Sequence, residues 1–278
     1  MKKKVAKNLL IYALLLLIVS LFLLPLVWAV VSSFKPEAAI ASYPPKWIPD
    51  GITLEHYDYI LSTFPFLQWT KNSLIIAAVS TLTILLLTST ASYALARIDF
   101  SGKRVVYGSI ICMLLLPIQA YIIPLYLLVS NLGLRDSLAS LVLVAGANVT
   151  GVYILTSFFK SLPKELEESA FIDGCGHYRI YLQIIMPLSK ASLASVGIIS
   201  FIANWNSFLW PLLALRTDKW KPLSVGVATY VGSFFNNHGF QYGPSLAAAC
   251  MSIVPTVLVY LLLQRNFIQG IAHTGIKG

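Results

Sequence analysis

Six stretches of the chain run without a formal charge over lengths that a bilayer demands. They fall at residues 9–31, 72–96, 105–129, 138–159, 191–213 and 244–264, and all 20 basic and 11 acidic side chains lie outside them. An α-helix needs about 20 apolar residues to cross the hydrocarbon core. Lipid offers no partner to a backbone N–H or C=O, and a helix pairs these groups within its own segment. The sequence therefore predicts an all-α integral membrane chain, residues 1–278 forming one membrane domain of six spans. Composition agrees: 57% of residues are hydrophobic and 11% charged, with mean hydropathy +0.76, whereas a soluble domain carries about 25% charged residues.

The net charge of +9 would suit nucleic acid or an anionic surface, so its placement decides its meaning. Thirteen of the 20 basic residues fall on one side of the six runs, among them Lys2, Lys3, Lys4, Lys7, Arg97, Lys103 and Arg104. The other side holds Lys35, Lys46, Lys71, Arg135, Arg216, Lys219 and Lys221. By the positive-inside rule the first side is cytoplasmic and both termini are expected there. The basic excess reads as topology, with membrane lipid as the surroundings and no nucleic acid as a partner. The MKKKVAKN start resembles a signal peptide, but the run behind it is long enough to span and reads as a retained first helix.

Cys112 and Cys250 fall inside apolar runs and Cys175 between two of them, which is no disulfide framework. The four histidines are scattered, without a ligand partner at metal-binding spacing. No metal and no cofactor is expected on this chain. The charge-free runs carry a functional implication. Ion-driven transporters bury ionisable groups along their pathway, so uphill movement of a solute here would need energy from outside the membrane segment. Pro117 and Pro124, Gly146 and Gly151, and Pro255 interrupt individual runs. They read either as ordinary helix packing or as bends that let a pathway open.

The most shaped polar segment, residues 160–190, lies between the fourth and fifth runs. Pro163 and the acids Glu165, Glu167 and Glu168 suit a helix start. Leu166, Ala170 and Phe171 are expected on one face. Gly174 and Gly176 supply the turn, and a second amphipathic helix is expected from about Tyr178 until Pro187 breaks it. The product is a cytoplasmic helix-turn-helix, or otherwise an amphipathic hairpin lying on lipid.

Glu168-Ser-Ala170, then Gly174, then Ile184-Ile-Met-Pro187 resembles the signature of permease subunits of bacterial binding-protein-dependent ABC importers. That signature reads E-A-A, three residues, Gly, nine residues, I-x-L-P, and only Ser169 and Met186 depart from it. Ser33-Phe-Lys-Pro36, Thr70-Lys-Asn-Ser-Leu74, Ala91-Ser-Tyr-Ala-Leu-Ala-Arg97, Phe100-Ser-Gly-Lys-Arg104, Asn204-Trp-Asn-Ser-Phe208 and Gly275-Ile-Lys-Gly278 resemble its carbohydrate-uptake, maltose-type branch, and within it the smaller six-span subunit. The resemblance implies the type I importer permease fold, in the bacterial cytoplasmic (inner) membrane. It implies that 160–190 is a coupling segment, with Glu168, Ser169, Ala170, Asp173, Gly174 and Pro187 at or beside a docked ATPase. The implied partners are a second permease, two copies of a P-loop ATPase that use ATP and Mg, and an extracellular solute-binding protein. The implied cargo is a sugar or oligosaccharide, with glycerol phosphate or another polar metabolite as alternative. An ion-coupled secondary transporter is the remote alternative. The chain has no G-x-x-x-x-G-K-[ST] sequence and reads as a non-catalytic subunit.

Further candidates sit elsewhere. Asn204, Trp205 and Asn206 in the fifth run either line the pathway or bond between helices, since amides in lipid need partners. Asn148 and Gln119 carry weaker versions of the same reading. Between the last two runs, Phe234, Phe235, Asn236 and Asn237 stand in a connection with His238. The resemblance implies contact with the binding protein there, while the residues alone also suit an interfacial anchor. The tail from Gln264 would by resemblance insert between the ATPase subunits, or is a frayed end.

Overall fold

The computed structural model describes residues 2–49, 51–237 and 241–275. Among the described residues the chain is helical and contains no strand. The elements are α1 (Lys2–Ser33), α2 (Glu37–Ile40), α3 (Glu55–Thr63), α4 (Phe66–Arg97), α5 (Lys103–Met113), α6 (Ile118–Asn131), α7 (Leu138–Gly146) and α8 (Val149–Ser161). There follow α9 (Glu165–Ile172), α10 (His177–Ile180), a π-helical turn (Tyr181–Ile185), α11 (Met186–Leu188), α12 (Lys190–Trp205), α13 (Leu209–Ala214), α14 (Leu223–Asn237) and α15 (Tyr242–Gly275).

Four helical segments are long and apolar enough to cross a membrane: Lys7–Ser33, Phe66–Arg97, Leu138–Ser161 and Tyr242–Leu261. Two more candidates are bent pairs. Lys103–Met113 meets Ile118–Asn131 at 108°, and His177–Leu188 meets Lys190–Trp205 at 78°. The third run, 105–129, is thus broken beside Pro117, one of the two prolines that interrupt it. Pro117 cannot extend α5 and instead stands extended (φ −67°, ψ 143°) as the residue that opens α6. The fifth run, expected over 191–213, also breaks. Asn206 ends α12 and a short α13 follows, with Pro211 inside it. Between residues 214 and 243, where a plain connection was expected, α14 adds a helix up to Asn237; His238 lies outside the described residues.

The chain divides into two compact units, Met1–Leu67 with Gly226–Pro255 and Gln68–Val225 with Thr256–Gly278. In the first, the polar groups after α1 are tied together. The Lys35 ammonium is buried, lies 4.2 Å from the Trp28 ring centre and donates to the Lys46 carbonyl. His56 Nε2 lies 2.8 Å from the Lys35 carbonyl. The Glu37 carboxylate accepts from the N–H groups of Tyr242 (2.6 Å) and Gly243 (2.8 Å) and so caps the start of α15. Gly243 is required sterically, because a Cβ there would come within 2.2 Å of the His56 ring.

The second unit has two cores. Ile76, Ile122, Val129, Leu141 and Trp210 join α4, α6, α7 and α13, with the Trp210 indole N–H donating to the Ser140 carbonyl at 3.1 Å. Ile84, Leu155, Phe159, Ala170, Ile180, Ile185 and Val196 form the other, joining α4, α8, α12 and the 160–190 segment. Two clasps close the first core over distant sequence. The Asn72 amide donates to the carbonyls of Lys219 (3.1 Å) and Lys221 (3.0 Å). The Asp136 carboxylate accepts from the Arg216 N–H (3.0 Å), the Thr217 N–H (3.0 Å) and the Thr217 hydroxyl (2.8 Å).

Those Thr217 and Arg216 hydrogen bonds hold the Asp136 carboxyl below the ordinary carboxylate range. A folded pKa below the unfolded one adds stability that is present above the unfolded value and lost as pH falls through the folded one. On acidification, the melting temperature of detergent-solubilised wild type is expected to fall more steeply than that of Asp136→Asn. Asparagine tolerates the left-handed backbone at this position (φ 55°), so a difference in slope reports the lost carboxylate.

Candidate coupling site

The 160–190 segment folds as two short helical arms, and each local choice has a physical cause. The α9 arm opens on Lys164, whose carbonyl accepts from the N–H groups of Glu167 (2.9 Å) and Glu168 (3.1 Å). Glu165, Glu167 and Glu168 in its first turn suit the positive end of the helix. Its end is a Schellman turn: Cys175 N–H donates to the Ala170 carbonyl at 2.9 Å, and Gly174 N–H to the Phe171 carbonyl at 3.0 Å. Gly174 holds φ +81°, and a Cβ there would meet nothing within 4 Å. Conformation alone, with no crowding inside the chain, explains this glycine.

The buried face differs from the expected one. Ala170 is buried as expected, but Leu166 and Phe171 remain 40% and 43% exposed, and Glu167 takes the inner position beside Ala170. The cause is a cation waiting inside. Arg97, the last residue of α4, places Nε 2.8 Å from Glu167 Oε1, with side chains 4% and 8% exposed. The contact is an ion pair and not an aligned hydrogen bond. Arg97 also donates to the Leu162 carbonyl at 2.7 Å. Burial pushes the Glu167 carboxyl up, and Arg97, His177 and Lys164 pull it back only in part, so its pKa stays above the ordinary value. Desolvation outweighs attraction, as is common for buried pairs, so the pair contributes geometry more than net stability.

The outer face carries the residues that the signature singles out. Glu168, Ser169, Asp173 and Gly174 are exposed, and Ile172 and Tyr178 beside them are 86% and 77% exposed. Pro187 is exposed as well but does not end the second arm. It lies in the first turn of α11, where its missing N–H is harmless, and the chain turns at Ser189, whose hydroxyl donates to the Ile185 carbonyl at 2.7 Å.

The suspected pathway residues do not form one group. Asn204 lines a cavity of about 510 Å³ with Tyr121, Ser140, Ser207, Trp210 and mostly aliphatic side chains, and its amide donates to the Ser200 carbonyl at 2.8 Å. Trp205 is buried and stacks on Phe201, while Asn206 is exposed and donates to the Ile202 carbonyl at 2.9 Å. Both amides are therefore paired within their own helix. Asn148 caps α8, its side-chain oxygen accepting from Gly151 N–H at 2.6 Å, and Gln119 is exposed near the start of α6. Phe234, Phe235, Asn236 and Asn237 lie in the last turns of α14, and their side chains fall outside the described ones, as do those of the tail from Gln264.

The protein family described as binding-protein-dependent transport system inner membrane component matches residues 88–272, which takes in the whole coupling segment. The chain belongs to this family. Similar members include an arabinooligosaccharide transport permease of Halalkalibacterium halodurans, 34% identical over 91% of each chain. A diacetylchitobiose uptake permease of Streptomyces coelicolor is 34% identical over 94% of this chain and 86% of that one. A trehalose/maltose transport permease of Thermococcus litoralis is 32% identical over the full length of both. A chain of a crystal structure of a bacterial ABC transporter for the acidic polysaccharide alginate has the same fold, with TM-score 0.83, 23% identity and 96% and 98% of the two chains covered.

Nothing local in the sequence joins Arg97, which closes the Ala91–Arg97 motif, to Glu167, one of three helix-start acids. Arg97→Ala would leave Glu167 desolvated without a counter-charge and is expected to destabilise the protein by about 3 kcal/mol. Replacing both, as Arg97→Met with Glu167→Leu, is expected to cost less than about 1 kcal/mol. Denaturant unfolding in detergent measures both; a single variant no worse than the double would mean that the pair does not hold the segment.

Proposed function

We propose that this chain is the permease subunit of an ATP-binding cassette importer and forms half of a transmembrane pathway for a sugar or oligosaccharide. The observation that carries the reading is the coupling segment. It shows an exposed outer face of Glu168, Ser169, Asp173 and Gly174 on a turn that is anchored by a buried ion pair. Ile172 and Tyr178 are exposed beside them, as on a hairpin lying on lipid, but such a hairpin has no use for the exposed acids Glu165 and Glu168 in its first turn. Relatives named for arabinooligosaccharides, diacetylchitobiose and trehalose/maltose support the carbohydrate cargo.

In this reading each bent pair contributes one crossing, which gives six spans with both termini in the cytoplasm. A second permease completes the pathway, and two P-loop ATPase subunits supply ATP and Mg chemistry that this chain lacks the motif to perform. Glu168, Asp173 and Gly174 face the ATPase, and Ala170 and Pro187 shape the segment that presents them. An extracellular binding protein delivers the solute, with Phe234, Phe235, Asn236 and Asn237 on the side that meets it. The cavity beside Asn204 belongs to the pathway, where the Asn204 amide and the hydroxyls of Tyr121, Ser140 and Ser207 stand among mostly aliphatic walls. Closure of the ATPase dimer displaces the segment, and the pathway turns outward.

Purification of the chain from its native membrane in mild detergent, beside a Gly174→Asp variant, tests the reading. Aspartate tolerates a left-handed backbone and no atom of this chain crowds the site, so the variant is expected to fold. An ATPase is expected to accompany the wild type and to fall by about tenfold in the variant, the loss that 1.4 kcal/mol at the interface would give. If no ATPase accompanies the folded wild type, the importer reading is wrong.

A further inference from the structure

Ser89, Tyr93 and Arg97 recur every fourth residue on α4 and so project from one side of that helix. Each meets a different part of the coupling segment. Ser89 and Tyr181 share a hydrogen bond of 2.7 Å between their hydroxyls. Tyr93 shares one of 3.2 Å with His177 Nδ1. Arg97 holds Glu167 and the Leu162 carbonyl, as described above. Arg97 thus reaches the residues that lead into the segment and its first arm, and Ser89 and Tyr93 reach its second arm, all from a single helix.

Apolar packing fills the space between the rungs. The Tyr93 and Tyr181 rings lie 5.3 Å apart, and Ala170, Ile180 and Ile185 belong to the same core as Ile84 of α4. A hinge is drawn from the other extreme, with few buried contacts and exposed backbone hydrogen bonds. We propose that this ladder makes the cytoplasmic half of α4 and the coupling segment one rigid body, with Ser89, Tyr93 and Arg97 as the positioning residues that deliver a displacement of the segment into α4. The source of the displacement rests on the importer reading; the rigidity does not. Arginine suits the last rung because a guanidinium grips a carboxylate and a carbonyl at once, which an ammonium at one point does not do in fixed geometry. The docking face of Glu168, Asp173 and Gly174 shares no residue with the ladder, so a change in the ladder leaves that face chemically intact.

Distance measurement by pulsed electron spin resonance tests this on the full chain. Cys112, Cys175 and Cys250 are replaced by serine, and labels are placed at Glu165→Cys on the segment and Leu86→Cys on α4, both exposed positions outside the docking face. The wild-type ladder is expected to give one narrow distance distribution that does not move when MgATP and vanadate are added to the purified complex. Arg97→Gln is expected to broaden it by about twofold or more, since the buried carboxylate then has no counter-charge and the segment leaves its seat. Tyr93→Phe, which removes one hydroxyl and no charge, is expected to broaden it less. Arg97→Gln with Glu167→Gln is expected to restore a narrow distribution, because two amides bond across the same gap.

A broad distribution in the wild type overturns the proposal, as does a shift on adding nucleotide. So does an Arg97→Gln protein that melts earlier with an unchanged distribution, the behaviour of a merely stabilising pair. The ATPase content of the same preparations is read in parallel. Its absence from the wild type counts against the importer reading while the distances still judge the ladder.

Discussion

A helix in lipid has no water to turn to, and this one fact organises the polar chemistry of the chain. Hydroxyl and amide groups on the apolar helices bond back to their own backbone: Thr83 to Val79, Thr88 to Ile84, Thr90 to Leu86, Ser195 to Ala191, Asn204 to Ser200 and Ser252 to Ala248. Such a bond satisfies the side chain without asking for a partner helix. Charges have no such recourse, and they gather at helix ends and in connections. There the second constraint acts: any charge that packing covers must find a counter-charge or a carbonyl. Lys35 finds the Lys46 carbonyl and the Trp28 face, and Arg97 finds Glu167 and Leu162.

The Arg97–Glu167 pair shows how a costly interaction becomes useful. The raised Glu167 pKa means that attraction to Arg97 does not fully offset desolvation. A well-packed apolar pair would serve stability at least as well. What the ion pair supplies is a preferred seating of α9, because a rotation that put Leu166 in the place of Glu167 would leave Arg97 buried without a counter-charge. The segment's outer face is thereby oriented as strictly as its inner face.

The relation to the family is consistent across scales. Among the described residues, helices long enough to cross, two bent pairs and the two-armed 160–190 segment occur in one chain whose fold matches a chain of an importer with TM-score 0.83. The family match from residue 88 to residue 272 includes the last rungs of α4, the segment and α12, which together make one of the two cores of the larger unit.

Much of this was legible locally. Charge-free runs announced the helices that cross, because length and hydropathy are properties of consecutive residues. The Gly174 turn was legible too, since glycine after a helix commonly supplies the positive φ that ends it. Two breaks were misplaced: Pro187 was expected to end an arm that Ser189 ends, and Asn206 ended a helix expected to reach residue 213. In both cases proline or asparagine chemistry admits more than one outcome, and neighbouring helices choose. The inward face of α9 was misread because Leu166 and Phe171 are more apolar than Glu167. Only a partner from α4, distant in sequence, reverses that ranking.

What the sequence by itself determined is the kind of solvent this chain folds in, the apolar runs that become its long helices, and the turn that exposes Glu168 and Gly174. Tertiary structure alone decided that Arg97 meets Glu167, that Asp136 clasps Thr217, that Asn72 bridges Lys219 and Lys221, and that Asn148 caps a helix in place of facing a solute. The physical reason is range. Hydropathy, helix caps and backbone conformation act between near neighbours, while the choice of partner for a buried charge or amide depends on which distant helix the packing brings within 3 Å.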